Sequence, residues 1–296
     1  MKKRDYEPEV PKTWPDHWWR SGRISAQLSH EFGDRIIVLG VAFTLDGEAH
    51  YEWFSGFLLK IDPMLFWLTA GHVIDHLLEL RDAQFIRIDK VSWNDGYPNK
   101  EASVVPVSLD ALPVYRDQNI DFGAILIRPG FAAPLLANQN VRPLTPETWY
   151  GLEKAKPEGY YIVGFPEVFA NTRCIGGDRG REDYVASAPL VCLPMEPIER
   201  QVNGEPASFW EDPHALYGKL VPFSEGTTPE NLANITGMSG GPVFSIERDP
   251  QGKLLYRLYG IQSVWLRTKR IIRAVPIRSV VEVIAKWFSA KSPDQG

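Results

Sequence analysis

Short apolar runs separated by turn residues make up most of this chain. Residues that favour strands, β-branched and aromatic, are concentrated in segments such as RIIVLGVAFTL (35–45), LFWLTAG (65–71), FGAILIR (122–128) and YRLYGIQSVWL (256–266). Turn residues such as LDGE interrupt these segments. The pattern predicts an all-β protein built from many short strands.

Helical spacing of apolar residues occurs twice, at 72–81 and at 279–288. The first helix is expected to have one face made of Val73, His76, Leu77 and Leu80. The C-terminal helix is expected to have one face made of Val280, Val283, Ile284 and Trp287. Ser279 is expected to cap this second helix at its N-terminus.

Length and composition narrow the range of functions. The 296 residues suffice for one large or two small domains, and 44% hydrophobic residues are ample for a packed core. The net charge of −5 argues against a nucleic-acid partner. The first residues lack the apolar run of a signal peptide, and no segment is apolar enough to span a membrane, so we expect a cytoplasmic protein. In that reducing compartment Cys174 and Cys192 are expected to be thiols, whereas in an exported protein they could close a hairpin disulfide.

Two regions lack a regular pattern. Residues 1–32 are irregular and rich in tryptophan, which indicates an N-terminal extension packed on the main body. Residues 167–232 combine charged, glycine-containing and proline-containing stretches with short apolar pieces, which indicates an insertion of long loops or a hairpin. These two regions are the expected contact sites for a regulatory protein partner.

The stretch GMSGG (237–241) places a serine among glycines. A serine hydroxyl becomes an effective nucleophile when a base accepts its proton and donors stabilise the oxyanion that forms. Glycines let the backbone approach a substrate closely, and the N–H groups of Gly237 and Ser239 are the expected oxyanion donors. Taken alone, the same motif would also fit a glycine-rich turn before a strand.

A histidine and an aspartate stand at strand ends earlier in the chain. His72 lies where the apolar segment FWLTA gives way to a helix, a position that can hold an imidazole at the rim of a cleft. Asp121 lies at the mouth of a very apolar strand, where a carboxylate needs a partner. With Ser239 they are candidates for the base, the orienting acid and the nucleophile of a triad. Asp110 and Asp117 are alternative acids.

In their order along the chain, three motifs resemble those of the trypsin-like, chymotrypsin-fold serine peptidases, particularly the short bacterial kind. The motifs are TAGH (69–72), DFGA (121–124) and GMSGGP (237–242). SGFLL (55–59) and YGIQSVW (259–265) resemble two further strands of the family. Each motif is weak by itself, whereas the ordered set is specific.

The resemblance implies two antiparallel six-stranded β-barrels with the active site between them, and then a C-terminal helix. The first barrel is expected at 33–135 with His72 and Asp121, and the second at 136–296 with Ser239. The implied activity is that of a serine endopeptidase, which cleaves peptides or proteins through an acyl-enzyme. Neither a cofactor nor a metal is expected.

Substrate-binding positions are implied in the same way. Ser263, Val264 and Trp265 would pair with the substrate backbone, and Ala233 would lie at the base of the pocket for the residue before the scissile bond. Since no acid stands at Ala233, a preference for lysine or arginine is not expected. Gln262 stands where glutamyl-specific relatives have a histidine, so we expect a small or medium apolar residue in this pocket.

The chain departs from the family at the residue before the candidate nucleophile. Met238 stands where many secreted members carry the aspartate that pairs with a newly released N-terminus. Zymogen activation of that type is therefore not expected, and activity is expected to be controlled in another way.

Ile272 and Arg273 are further residues that could narrow or charge the pocket for the residue before the scissile bond.

Two other functions remain open. HVIDH (72–76) resembles the H-x-x-E-H zinc motif with Asp in place of Glu, which would indicate a metallohydrolase, although no convincing third ligand accompanies it. A catalytically silent, protease-like binding module or scaffold would have the same sequence if its oxyanion hole did not form.

Overall fold

The computed structural model describes residues 32–61, 63–94, 104–131, 136, 141–149, 157–167, 171–176, 182–187, 190–199, 214–221, 234–248 and 254–289. The N-terminal extension expected at 1–32 lies outside the described residues except for its last position, and so does Ala233. Within the described ranges, no helix has both the length and the apolar character needed to cross a membrane.

The first unit is an antiparallel sheet of seven strands. In chain order these are β1 (Ile36–Leu45), β2 (Glu48–Ile61), β3 (Met64–Ala70), β4 (Ile86–Asn94), β5 (Val104–Val107), β6 (Val114–Asp117) and β7 (Phe122–Ile127). Their order across the sheet is β5-β4-β1-β2-β3-β7-β6. The β1–β2 hairpin turns at Asp46 and Gly47, whose φ angles of 52° and 84° are the positive pair that a two-residue type I′ turn requires.

Helix α1 (Gly71–Asp82) begins where β3 ends, as the sequence predicted. Its buried residues are Gly71, Val73, Ile74, Leu77 and Leu80. His76 is only partly buried, because its Nε2 lies 2.7 Å from Glu52 Oε2 on β2 and is held near the surface. Val73, Leu77 and Leu80 of the expected face are thus buried, and Ile74 is buried beside them. His76 lies at the edge of this face, with its ring centroid 5.8 Å from that of buried Phe54.

The second unit is a closed barrel of six strands with a separate hairpin. The second half of the chain forms β8 (Gly159–Gly164), β9 (Asn171–Gly176), β10 (Glu182–Ser187), β11 (Val191–Pro197), β12 (Leu216–Leu220), β13 (Pro242–Arg248), β14 (Leu254–Leu266) and β15 (Ile271–Pro276). The barrel order is β11-β12-β15-β14-β13-β8, and β9 pairs with β10 in a separate two-stranded sheet. Two barrel strands, β11 and β12, thus lie within 167–232, where an insertion was expected, while β9 and β10 stand outside the barrel.

Helix α2 (Ile277–Ser289) follows β15 and packs against both units. The apolar face of the helix is as expected. Val280 and Ile284 lie in a hydrophobic cluster that contains residues of both units, and Val283 and Trp287 pack against this cluster. Trp287 stacks on Phe122 of β7, with ring centroids 5.2 Å apart. The helix begins at Ile277, so Ser279 lies inside its first turn and the expected cap at this residue was wrong.

One hydrophobic cluster joins the two units. It contains Phe57 and Phe122 from the sheet, Phe244 and Ile261 from the barrel, and Val280 from α2. The expected all-β class with a C-terminal helix is confirmed, and the architecture is consistent with a chymotrypsin-like two-barrel fold. The first unit differs in having seven strands, and its edge strands β5 and β6 do not pair with each other in the part of the chain that the structure describes.

Candidate active site

Strand register brings His72 and Asp121 together. β3 and β7 pair so that Ala70 stands opposite Phe122, which places the residue after β3 beside the residue before β7. The N–H of Gly71 donates to the carbonyl oxygen of Asp121 at 3.0 Å and continues the ladder by one step. His72, the next residue, is therefore fixed against Asp121 by the end of a buried strand.

Asp121 contacts His72 through both carboxylate oxygens. The backbone N–H of His72 donates to Oδ1 at 3.0 Å, and the ring Nδ1 lies 3.4 Å from Oδ2. The Asp121 side chain is 16% exposed and the His72 side chain 49% exposed. The imidazole is therefore accessible to solvent, whereas the carboxylate that contacts it is largely buried. Asp121 has a φ of 46°, a left-handed conformation that Asp tolerates better than most residues.

Two guanidinium groups also face Asp121. Arg273 Nη2 donates to Oδ2 at 3.4 Å, and Arg116 Nη2 lies 3.6 Å from Oδ1. The Nε of Arg116 is shared between the two oxygens of Asp75, at 3.0 and 3.1 Å. The Nε of Arg273 donates to Ser263 Oγ at 3.1 Å. Asp121 thus lies in a small network of ion pairs built from both units.

Ser239 lies in a tight loop just before β13. The loop contains two glycines with left-handed backbone, Gly237 with φ 90° and Gly240 with φ 89°. Its shape is held by turn hydrogen bonds from Met238 N–H to the carbonyl of Ile235 (3.1 Å) and from Gly241 N–H to the carbonyl of Met238 (2.9 Å). Such an arrangement needs glycine, because an L side chain is strained at these φ angles.

The serine loop packs directly on the first unit. The Ser55 hydroxyl of β2 donates to the carbonyl oxygen of Gly237 at 2.5 Å. A Cβ at Gly240 would collide with Thr69 Oγ1 and with backbone atoms of Ser55 and Ala70. Since Gly240 adjoins Ser239 and Ala70 lies two residues before His72, the two candidate residues sit on segments that contact each other.

The structure describes no hydrogen bond between Ser239 and His72. In the described residues, the backbone N–H groups of Gly237 and Ser239 also donate to no acceptor. Ser239 itself is half-buried. His72 and Asp121 are therefore in direct contact. Ser239 lies on a loop that packs against the end of β3, which is close to His72 in the chain, but Ser239 makes no hydrogen bond to the imidazole.

The expected substrate-pairing residues lie at a partly open edge. β13 pairs with β14 only as far as Ile261, whereas β15 pairs with Val264 and Trp265 on the other side. Ser263 is fully buried, and its hydroxyl donates to the carbonyl oxygen of Arg273 at 3.3 Å. The backbone of 263–265 is thus unpaired by β13 on the side of the serine loop.

The other residues singled out in the sequence are placed elsewhere. His76 Nδ1 faces Glu79 at 3.6 Å and its Nε2 faces Glu52, so the two histidines of HVIDH have different partners. Asp117 accepts hydrogen bonds from the backbone of Asn119 and Ile120 within its own turn. No group of three or more potential metal ligands is found in the residues that the structure describes.

Sequence analysis missed two contacts that define the site. Ser55 and Arg273 lie 182 and 152 residues from their partners Gly237 and Asp121, and no local pattern marks such pairs. Arg273 was noticed as a residue of the pocket, whereas the structure pairs it with Asp121. Its position inside the apolar stretch RIIRAVPI was the available signal, because a buried cation needs a counter-charge.

Comparisons with known proteins give a distant structural likeness. No protein-family model matches the chain, and no curated protein matches it. Solved structures that match include one described as "Structure of GrC", with 16% sequence identity and a TM-score of 0.45. That match covers 85% of this chain and 93% of the other.

Proposed function

We propose that the protein is a serine endopeptidase in which Ser239 is the nucleophile, His72 the general base and Asp121 the residue that orients the imidazole. The observation that carries this proposal is the double contact of Asp121 with His72, through the backbone N–H and ring Nδ1. A carboxylate on Nδ1 leaves Nε2 as the nitrogen that accepts a proton and stabilises the imidazolium that results.

The reaction has two halves. The Ser239 oxygen attacks the scissile carbonyl while His72 Nε2 accepts the hydroxyl proton, and the C–N bond then breaks as this proton passes to the leaving amine. Water attacks the resulting ester, His72 takes a proton from that water, and the proton returns to Ser239 as the acid product leaves. The N–H groups of Gly237 and Ser239 would bind the oxyanion, which fits their lack of an acceptor among the described residues.

A peptide substrate would bind as an extended strand beside residues 263–265. The edge that β13 leaves open there offers backbone groups for this pairing. We propose a small or medium apolar residue before the scissile bond, since the chain has no acid at Ala233. We further propose that the enzyme acts on proteins in the cytoplasm and is regulated through the N-terminal extension or the 167–232 region.

A second candidate function is a protease-like binding module without catalysis. The specific observation in its favour is that Ser239 makes no hydrogen bond to His72 in the described structure, so the base is not yet in place to accept the proton. Catalytic hydrogen bonds are often formed only in the complex with substrate, and the two segments already contact each other. The peptidase is therefore the better supported function.

Labelling with a fluorophosphonate probe separates these functions. The probe phosphonylates an activated serine oxygen with loss of fluoride, so we expect labelling of the natural protein and none of Ser239→Ala. His72→Gln should slow labelling strongly although Ser239 is retained. Equal labelling of the natural protein and Ser239→Ala would contradict the proposal, and no labelling of a folded natural protein would favour the binding module. Loss of peptidase activity with EDTA, but not with the probe, would indicate a metallohydrolase.

A further inference from the structure

Arg273 connects the second unit to the carboxylate of the proposed triad. It stands on β15, its side chain is 13% exposed, and its Nη2 donates to Asp121 Oδ2 at 3.4 Å. The Nε donates to Ser263 Oγ at 3.1 Å, and the Ser263 hydroxyl donates to the carbonyl oxygen of Arg273 itself. Because Ser263 is fully buried, the guanidinium is held rigidly at one end while the other end reaches Asp121.

The charges around Asp121 divide into two pairs. Arg116 is matched by Asp75, which accepts from its Nε with both oxygens, and Arg116 stands farther from Asp121 at 3.6 Å. Asp121 is the one carboxylate that pairs with Arg273 in the described part of the chain. A guanidinium with so little exposure is costly without a counter-ion, so the Arg273–Asp121 contact is enforced by desolvation.

The geometry at Asp121 favours a positioning effect over competition with His72. A carboxylate offers about four acceptor sites on two oxygens, so Oδ2 can accept from Arg273 and from His72 Nδ1 at once. The χ2 torsion of Asp is soft, so the single hydrogen bond from His72 N–H to Oδ1 restrains the carboxylate plane only in part. A second fixed donor on Oδ2 restrains the same torsion further.

We propose that Arg273 is a positioning residue that turns the Asp121 carboxylate toward His72 Nδ1 from the opposite unit. This inference rests on the proposed function, since it assigns Arg273 a part in the same triad. It also means that the carboxylate is held correctly only when the two units are packed together. Arg273 acts through Asp121 and touches no reacting atom.

The test compares Arg273→Met, which has no donor, with Arg273→Lys, which keeps the charge and one donor. Arg257→Met is the matched control, because Arg257 on the same barrel donates to buried Glu247 at 2.8 Å and so forms an ion pair away from the site. Three readouts are needed: thermal unfolding, the kinetics of fluorophosphonate labelling, and the NMR signal of the proton on His72 Nδ1, assigned by its absence in His72→Gln.

We expect Arg273→Met to lose or shift the His72 proton signal and to lower the maximal labelling rate by about 10- to 100-fold with little change in probe affinity. Arg273→Lys should recover part of both. Arg257→Met should lower the unfolding temperature and leave both the signal and the labelling rate unchanged.

Failure of the inference and failure of the proposed function look different. Labelling of Arg273→Met at the natural rate or faster, with an unchanged His72 signal, would overturn the positioning role and leave the peptidase intact. A natural protein that is not labelled would overturn the peptidase. The His72 proton signal in Arg273→Met and Arg257→Met would then decide by itself whether Arg273 orients Asp121.

Discussion

The hydroxyl of Ser55 donates to the carbonyl oxygen of Gly237 at 2.5 Å, and this bond joins the first unit to the loop that carries Ser239. The same hydroxyl accepts from the N–H of Phe165 at 3.3 Å, so one buried side chain satisfies two backbone groups of the second unit. The serine loop is thereby located relative to β2 and β3, and hence to His72 at the end of β3.

Replacement of Ser55 by alanine should lower both the unfolding free energy of the protein and the reactivity of Ser239. The substitution leaves the Gly237 carbonyl and the Phe165 N–H without their partner, which costs about 1–3 kcal/mol of unfolding free energy. The Ser239 loop should also lose its fixed position, so fluorophosphonate labelling should slow. Ser245→Ala is the control, because Ser245 is equally buried but bonds to Glu247 at 3.3 Å inside the barrel. It should lower stability alone, and slowing of labelling in Ser245→Ala to the same extent would contradict the role of Ser55.

Alanine at Gly240 should be far more damaging than alanine at Gly47. Both glycines have left-handed φ angles, 89° and 84°, so both substitutions carry a backbone cost of roughly 1–2 kcal/mol. Only Gly240 also lacks space, because its Cβ would meet Thr69 and the backbone of β2, whereas none of the described residues has an atom within 4 Å of a Cβ at Gly47. Overpacking raises the expected loss for Gly240→Ala to about 2–5 kcal/mol. Urea unfolding of the two variants measures the difference, and equal losses would show that the close contact with Thr69 does not exist in solution.

Asp121→Asn should abolish most activity without unfolding the protein. Asn also tolerates the left-handed φ of 46°, so the fold should persist. The change removes the charge that orients the His72 ring and also the counter-ion of Arg273, so the unfolding free energy should fall as well. We expect the labelling rate to fall by about 10³- to 10⁴-fold, as for loss of an orienting carboxylate. Asp110→Asn is the control, since Asp110 lies in a separate short 3₁₀ helix. Full labelling of Asp121→Asn would show that another acid, or none, orients His72.

Local pattern was sufficient for most of the strands, for both helices and for the His72–Asp121 pair. It did not mark β6, nor the strands β9 to β12, which lie where long loops or a hairpin were expected. Alternation and β-branched composition predicted the other strands, LDGE predicted the β1–β2 turn, and the 3.6-residue period predicted both helices. Asp121 precedes one apolar strand and His72 follows another. When these two strands pair in antiparallel fashion, as β3 and β7 do, the two residues are brought together at the same end of the sheet.

Tertiary contacts account for what the sequence did not predict. His76 is only partly buried because Glu52 on another element offers its ring a partner at 2.7 Å. The C-terminal helix begins at Ile277 and not at 279, because β15 ends at Pro276 and the helix follows it directly. Ser55 and Arg273 each bond to a residue of the other unit, so these partners depend on how the two units pack and could not be predicted from local sequence.

Stability should fall in alkaline solution through Tyr160. Burial, with the nearby Tyr259 and Glu247 adding to it, raises the pKa of Tyr160 from 10.0 to about 12. The folded state therefore keeps the phenol proton between pH 10 and about 12 while the unfolded chain releases it, so this contribution is complete below pH 10 and is lost as pH rises toward 12. Urea unfolding of the natural protein and Tyr160→Phe at pH 8, 10 and 11 should show the variant losing less stability with pH. Parallel losses in both proteins would contradict the raised pKa.

A single buried amide should make the barrel less stable than it could be. Gln262 is 1% exposed and stands opposite Ala274 on the inner face of the barrel, where neither Nε2 nor Oε1 has a hydrogen-bond partner among the residues that the structure describes. Replacement by methionine, of similar shape and without polar groups, removes two unsatisfied atoms and should raise the unfolding free energy by about 1–3 kcal/mol. The backbone bonds of residue 262 with Gly240 and Gly241 do not depend on its side chain and should persist. Gln262→Glu is the opposite control, because a carboxylate in the same place should lower stability. A loss of stability in Gln262→Met would show that the amide has a partner in solution, such as a buried water.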